Sequence, residues 1–190
     1  MTRPAIERHL LETPGDVRPR PHANCYWLIP AQLLAGEHPG SVDSAAAAAR
    51  IDALLDAGVR QFIDLTGDEE GPEPYATLLL ARAAPRALAV AHRRFAIPDF
   101  GVPSAAVMRA TLDSIYTALA AREPIYLHCW GGVGRTGTVV GCLLREQGYT
   151  APEALALLER KWRVVEKRSR HPISPETQRQ VAFIEQWQAL

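Results

Sequence analysis

Long hydrophobic runs are missing from this sequence: none approaches the roughly 18 apolar residues of a membrane-spanning helix. Arg3, Glu7, Arg8 and His9 interrupt Met1 to Glu12, which leaves no apolar core for a secretory signal, and no membrane insertion is expected. Cysteine is scarce. Cys25, Cys129 and Cys142 are too few and too scattered for a disulfide framework, which makes a reducing cytoplasm the expected compartment. An excess of either charge is missing too, since 21 Lys and Arg balance 21 Asp and Glu. Without a net basic field, nucleic acid and anionic lipid are not expected partners, and any basic site must be local. What is present is ordinary globular usage, 47% hydrophobic and 22% charged residues over 190 positions. That length suits one domain with a sizeable core and is cramped for two.

Pro4, Pro14, Pro19, Pro21 and Pro30 each fix their own φ and disfavour helix just before them, so residues 1–25 read as an irregular N-terminal arm and 26–190 as the folded domain. Tyr26–Ile29 and Leu33–Ala35 read as a small pair of strands, punctuated by Gly36 and Pro39-Gly40. Asp43–Ala57 is rich in alanine with Ile51, Leu54 and Leu55 on one face, and it predicts a helix that Gly58 stops. Val59–Leu65 reads as a strand, and Thr66–Pro74 as a loop holding Asp68, Glu69 and Glu70 with no basic residue. Tyr75–Ala84 reads as helix, Ala91–Ile97 as extended, and Pro98–Pro103 as an irregular loop. Ser104 is a candidate cap for a helix carrying Met108, Leu112, Ile115, Tyr116 and Leu119, and Ile125–Leu127 follows as a buried strand. Arg135–Glu146 is apolar on more than one side, as a central helix would be. Thr150 and Glu153 form a capping box for a helix with Leu155, Leu158, Trp162 and Val165 on one face; Ser174-Pro175 is expected to open the last helix, with Val181, Ile184 and Trp187 inward. Alternating strands and helices predict a single α/β layered domain with a mostly parallel central sheet flanked by helices.

Residues 125–137 run strand, glycine-rich loop and helix start in immediate succession: Ile-Tyr-Leu-His128-Cys129-Trp130-Gly131-Gly132-Val133-Gly134-Arg135-Thr136-Gly137. Such a loop aims backbone N–H groups at one point, and the helix N-terminus adds its positive dipole end. The product is an anion cradle. Gly131, Gly132 and Gly134 leave no side chains to block a tetrahedral oxyanion, and Arg135 offers a two-pronged donor matched to two of its oxygens. A sulfur nucleophile, Cys129, at the base of a phosphate-shaped cradle implies attack on phosphorus.

His128-Cys129 followed by Arg135-Thr136 resembles the signature of the cysteine-dependent protein tyrosine and dual-specificity phosphatases, with Gly132 on that family's fixed loop glycine. The resemblance runs from about Trp27 to Trp187. It implies a protein tyrosine phosphatase-like fold, a catalytic domain over 26–190, and hydrolysis of a phosphate monoester through a phosphocysteine, without metal or cofactor. By resemblance, Trp130, Gly131, Gly132, Val133, Gly134 and Arg135 bind the phosphoryl group. Asp99, thirty positions before Cys129 in Ile97-Pro98-Asp99, is the general acid, and Thr136 is the hydroxyl that stabilises the departing thiolate. Gln180 is matched to the family's water-positioning glutamine, although the segment departs from the pattern at Glu176, where some members have a leading Gln. His128 is read as an orienter of the Cys129 backbone or sulfur rather than as a base. The implied partner is a phosphorylated protein or small phosphate ester. Two alternatives stay open: an inositol phosphate or phosphoinositide phosphatase, and a non-catalytic phosphate-binding module, whose expected sign is loss of Cys129, Arg135 or Asp99. None is lost.

Several features read more plainly. Cys25 and Cys142 are expected in the core, and Cys142 lies about 9 Å along the helix from Thr136, too far along for a protective disulfide with Cys129. Glu159–His171, with Arg160, Lys161, Arg163, Lys167, Arg168 and Arg170, reads as a solvated basic face, or as one that lets an Arg contact an anionic substrate. Tyr75 reads as a core tyrosine or as a ring to stack on substrate. His22-x-x-Cys25 has metal-ligand spacing but no second pair, which argues against zinc.

Overall fold

The computed structural model describes residues 3–67, 70 and 75–188. Five short strands, β1 (Cys25–Ile29), β2 (Leu33–Gly36), β3 (Gln61–Asp64), β4 (Ala91–Arg94) and β5 (Ile125–His128), form one sheet in the order β1-β2-β5-β3-β4. β1 and β2 pair antiparallel, and β2–β5, β5–β3 and β3–β4 pair parallel. The mostly parallel α/β sheet expected from the sequence is what forms.

Side chains alternate across the sheet and build a core on each face. Cys25, Trp27, Leu34, Phe62 and Tyr126 meet Ile51, Leu54 and Leu55 of α2 (Ser44–Asp56) and Tyr75 and Leu79 of α3 (Tyr75–Ala83). Leu28, Leu33, Ala35, Ile63, Ile125 and Leu127 meet the other face, which carries α4 (Ala105–Ala120), α5 (Gly134–Glu146), α6 (Ala151–Trp162) and α7 (Gln178–Gln186). Capping chemistry fixes where these helices start: Asp43 accepts the amides of Ala45 and Ala46, Ser104 accepts Val107, and Thr150 with Glu153 forms a reciprocal box.

The structure corrects four details. The N-terminal arm is not wholly irregular: α1 (Arg8–Glu12) forms within it, Leu11 is buried in the core, and the Ile6 amide donates to Gln147 Oε1 at 2.7 Å. Next, α6 ends at Trp162 and Val165 lies beyond it, where the β-branched pair Val164-Val165 favours extended backbone. Its buried face includes Lys161, so the basic run is not all solvated: the ammonium is fully buried and donates to Trp27 O and Leu28 O at 3.0 and 2.9 Å. Burial lowers its pKa to about 8. Finally, α7 does not open at Ser174-Pro175. The Ser174 hydroxyl donates to Val133 O instead, and Thr177 with Gln180 forms the capping box that starts the helix.

Because four strands run parallel, the segments that follow β2, β3, β4 and β5 all emerge at one edge of the sheet, where ligands of open α/β folds bind. Those four segments carry Glu37, Glu70, Asp99 and Cys129. Among the described residues, no helix is long and apolar enough to cross a membrane.

Candidate active site

The loop between β5 and α5 closes over Cys129, whose Sγ accepts the Gly132 N–H at 3.2 Å and is nearly enclosed. Gly132 has φ +75°, and a Cβ there would sit 2.6–2.8 Å from the Gly36 carbonyl group and the Glu37 nitrogen. Only glycine fits that approach. No side chain caps the start of α5, so its first amides remain for a ligand. A cavity of about 270 Å³ opens above the loop, lined by Cys129, Trp130, Gly131, Val133, Gly134 and Arg135 from the cradle. Its remaining wall comes from Asp99, Phe100, Lys167, His171, Glu176 and Gln180. The structure thus brings Asp99, Cys129, Arg135 and Gln180 to one cavity.

Arg135 lies across this cavity with its guanidinium already bound. Nη1 donates to Glu70 Oε1 at 2.7 Å and to Ile97 O at 3.1 Å, and Nη2 meets Asp99 Oδ1 at 2.9 Å. Burial alone would raise the Glu70 carboxyl, but the Arg135 hydrogen bond and the Gly67 amide outweigh it and hold it below the usual range. Glu70 is a residue that the sequence reading placed only in an acidic loop. Its neighbours Asp68 and Glu69 lie outside the described residues. Asp99 is 56% exposed, with its Oδ1 also accepting the Phe100 amide, so it stands at the mouth rather than in the floor.

Behind Cys129 lies a buried polar cluster. His128 Nδ1 lies 3.3 Å from the Cys129 carbonyl and Nε2 lies 2.7 Å from the Tyr75 hydroxyl. The carbonyl can only accept, so Nδ1 carries the proton and Tyr75 donates to Nε2. Burial lowers the His128 pKa to about 3, and the neutral ring orients backbone rather than sulfur. Tyr75 is therefore a core residue and does not stack on substrate. Asp64, beside His128 in the β3–β5 register, accepts the Thr66 amide and hydroxyl at 2.9 and 2.6 Å and the ring of His92 at 3.1 Å. Burial would raise its pKa, yet these donors carry it far below the usual carboxylate range.

Gln180 is fully buried, not solvated. Its Oε1 accepts the Glu176 and Thr177 amides, each at 3.1 Å, and its Nε2 donates to Gly101 O at 3.1 Å, joining α7 to the loop that bears Asp99. A Cβ on Gly134 would meet that carboxamide at 2.8 Å, so cradle and glutamine pack edge to edge. The Thr136 hydroxyl is buried and has no hydrogen-bond partner among the described residues, Cys129 Sγ included. Trp130 and Phe100, 44% and 60% exposed, form an aromatic rim. Of the basic run, Lys167 and His171 reach the cavity, while Arg163 pairs with Glu159 on the surface.

The remaining cysteines are core residues. Cys142 is buried, and Cys25 Sγ donates to His22 O, while His22 Nε2 bonds the Tyr126 hydroxyl at 2.9 Å. Among the described residues, no three His, Cys, Asp or Glu side chains are grouped to hold a metal ion.

A family model described as Swiss Army Knife protein, DSP-PTPase phosphatase domain, matches residues 22–184. The dual specificity protein phosphatase CDC14B of Mus musculus is 35% identical over 68 residues, 35% of this chain, so the match spans only 13% of that curated relative's length. Among solved structures, Tk-PTP in the active form superposes with a TM-score of 0.61 at 25% identity, covering 82% of this chain and 90% of that one. Kinase associated phosphatase, with its catalytic-site cysteine replaced by serine, superposes with a TM-score of 0.63 at 18% identity, covering 80% and 83%. With the match running from the segment before β1 into α7, this chain belongs to the DSP-PTPase phosphatase domain family, the dual-specificity type of cysteine-dependent phosphatase.

Proposed function

We propose that this protein hydrolyses phosphate monoesters in two steps through a phosphocysteine at Cys129. The observation that supports it most is the convergence of Cys129 Sγ, the Arg135 guanidinium and the Asp99 carboxylate on one small cavity at the head of an uncapped helix. In the first step Sγ attacks phosphorus, the bond from phosphorus to the leaving oxygen breaks, and that oxygen takes a proton from Asp99. In the second, water attacks phosphorus, the S–P bond breaks, Asp99 takes the water's proton, and phosphate departs. Arg135 and the loop amides hold the equatorial oxygens throughout. Thr136, unpartnered beside the loop, is the hydroxyl available to the sulfur as it leaves.

The favoured substrates are aryl phosphates, phosphotyrosine among them. Between Cys129 and Arg135 the loop contributes no cation, and the mouth is framed by Trp130 and Phe100. An inositol polyphosphate would bring extra phosphates that shed hydration, while of the described basic residues lining the cavity besides Arg135, Lys167 is bound to Glu37 at 2.6 Å and His171 lies 3.4 Å from Glu176. Replacing Cys129→Ser is expected to abolish turnover of an aryl phosphate while inorganic phosphate still binds, since the cradle remains. Near wild-type turnover in that variant refutes the mechanism. Higher kcat/KM on inositol polyphosphates than on aryl phosphates at fixed ionic strength refutes the substrate class.

A further inference from the structure

Lys167 lines the cavity, but its ammonium is turned to the back of the loop: Nζ donates to Glu37 Oε2 at 2.6 Å and to the Gly131 carbonyl at 3.2 Å. A peptide unit is planar and trans, so its C=O and the next residue's N–H point in opposite directions. Holding Gly131 O outward therefore aims the Gly132 N–H inward, and that N–H is the one bonded to Cys129 Sγ. One peptide earlier the device repeats, because the His38 N–H takes the Trp130 carbonyl at 3.0 Å and so turns the Gly131 N–H inward. Without such restraint a peptide between two glycines rotates readily. Rotation there would put a carbonyl dipole where the cradle needs a donor.

The anchor for Lys167 is itself braced. The Lys167 backbone N–H donates to Asn24 Oδ1 at 3.0 Å, and Asn24 Nδ2 donates to Glu37 Oε1 at 3.2 Å. Arg50 Nη1 lies 3.4 Å from the same Glu37 oxygen and donates to His38 O at 3.0 Å. Glu37 also neutralises an ammonium that would otherwise stand free beside an anion site.

We infer that Glu37 and Lys167 are positioning residues: their ion pair holds the Gly131 carbonyl out of the cradle and thereby presents the Gly132 amide to sulfur and phosphate. The inference deepens the proposed phosphatase reading and rests on it for its catalytic consequence. The rival is that Lys167 contacts substrate directly, and the two differ over Glu37. Removing the carboxylate frees Lys167 toward the cavity, which helps a direct contact and harms a brace.

The test compares Lys167→Met, Lys167→Arg, Glu37→Gln and the Met/Gln double variant, by inhibition with inorganic vanadate, by kcat/KM on phenyl phosphate, and by amide hydrogen exchange over 130–134. A brace predicts that Lys167→Met and Glu37→Gln each weaken vanadate inhibition and lower kcat/KM by about tenfold or more, as small misplacements of catalytic groups do. The double variant should lose no more than either single one, because both remove the same device. Lys167→Arg should recover most of the loss, which general destabilisation would not explain. Unchanged or tighter vanadate inhibition in Glu37→Gln, with Lys167→Met impaired, overturns the brace in favour of direct contact. Should Glu37→Gln not fold, exchange decides on Lys167→Met alone: a rise of about tenfold at Gly132 supports the brace, and wild-type exchange overturns it. Exchange needs no turnover, so an inactive wild-type protein would sink the phosphatase reading and leave this result standing.

Discussion

Asp99 and Glu70 both place a carboxylate on Arg135, yet from different settings. Glu70 is tied down by the Gly67 amide as well, at 2.9 Å, whereas Asp99 is exposed at the cavity mouth and otherwise, among the described residues, accepts the amide of its neighbour Phe100. In the proposed mechanism a phosphoryl group takes Arg135 Nη2 in place of the Asp99 oxygen, which leaves that carboxyl to serve the leaving oxygen. Asp99→Asn is therefore expected to slow alkyl phosphates by about 10²- to 10⁴-fold and an activated aryl phosphate far less, because a good leaving group needs little protonation. Equal losses on both substrates would remove Asp99 from the acid role. At this scale Cys129, Arg135 and Asp99 were legible, since spacing to a glycine-rich loop is a strong signal. Glu70 was not: in a loop of four acids without periodicity, no pattern tells which one faces the arginine. Lys167 was hidden among six basic residues for the same reason.

Among the elements, α7 shows how one side chain serves both a helix start and the site. Gln180 closes the capping box with Thr177 and at the same time donates to Gly101 beyond Asp99. Gln180→Ala leaves the Glu176 and Thr177 amides and the Gly101 carbonyl without this partner, a loss on the order of 1–3 kcal/mol in urea unfolding. If Gln180 also orients water for the second step, the variant should release a burst of aryl alcohol and then turn over slowly. An unchanged burst with only lowered stability would confine Gln180 to architecture. Caps at Ser104 and Thr150 could be read from sequence because each stands directly before an apolar periodic run, whereas Asp43 read as the first helical residue and is the cap instead. Thr177 escaped because Ser174-Pro175, three residues earlier, carries the stronger opening signal, and only the packing of Ser174 against Val133 removes it from contention.

Across the whole molecule, the parallel sheet and its helices on two faces were legible from alternating periodicities, but the polar interior was not. Sequence shows six histidines without saying which are enclosed. In the fold, burial lowers His22 to about 4 and His128 to about 3, so both are neutral where an unfolded chain would titrate near 6.5. Each then follows one sign. As pH falls below 6.5 the unfolded chain binds a proton that the native state refuses, so stability is lost with acidification, at about 2 kcal/mol per such histidine between pH 7 and 5. His38, lowered in the same direction by burial, adds to the loss. Asp64 acts in a separate window, because its depressed carboxyl stabilises the fold above the unfolded value of about 3.9 and is lost only as pH falls further. Urea unfolding at pH 7 and pH 5 should thus show a drop on the order of 4 kcal/mol, and His22→Gln should shrink that drop by about 2 kcal/mol, whatever its absolute stability. A pH dependence left unchanged by His22→Gln would mean that His22 is not held neutral in the fold and that its bond to Tyr126 tolerates the charged ring.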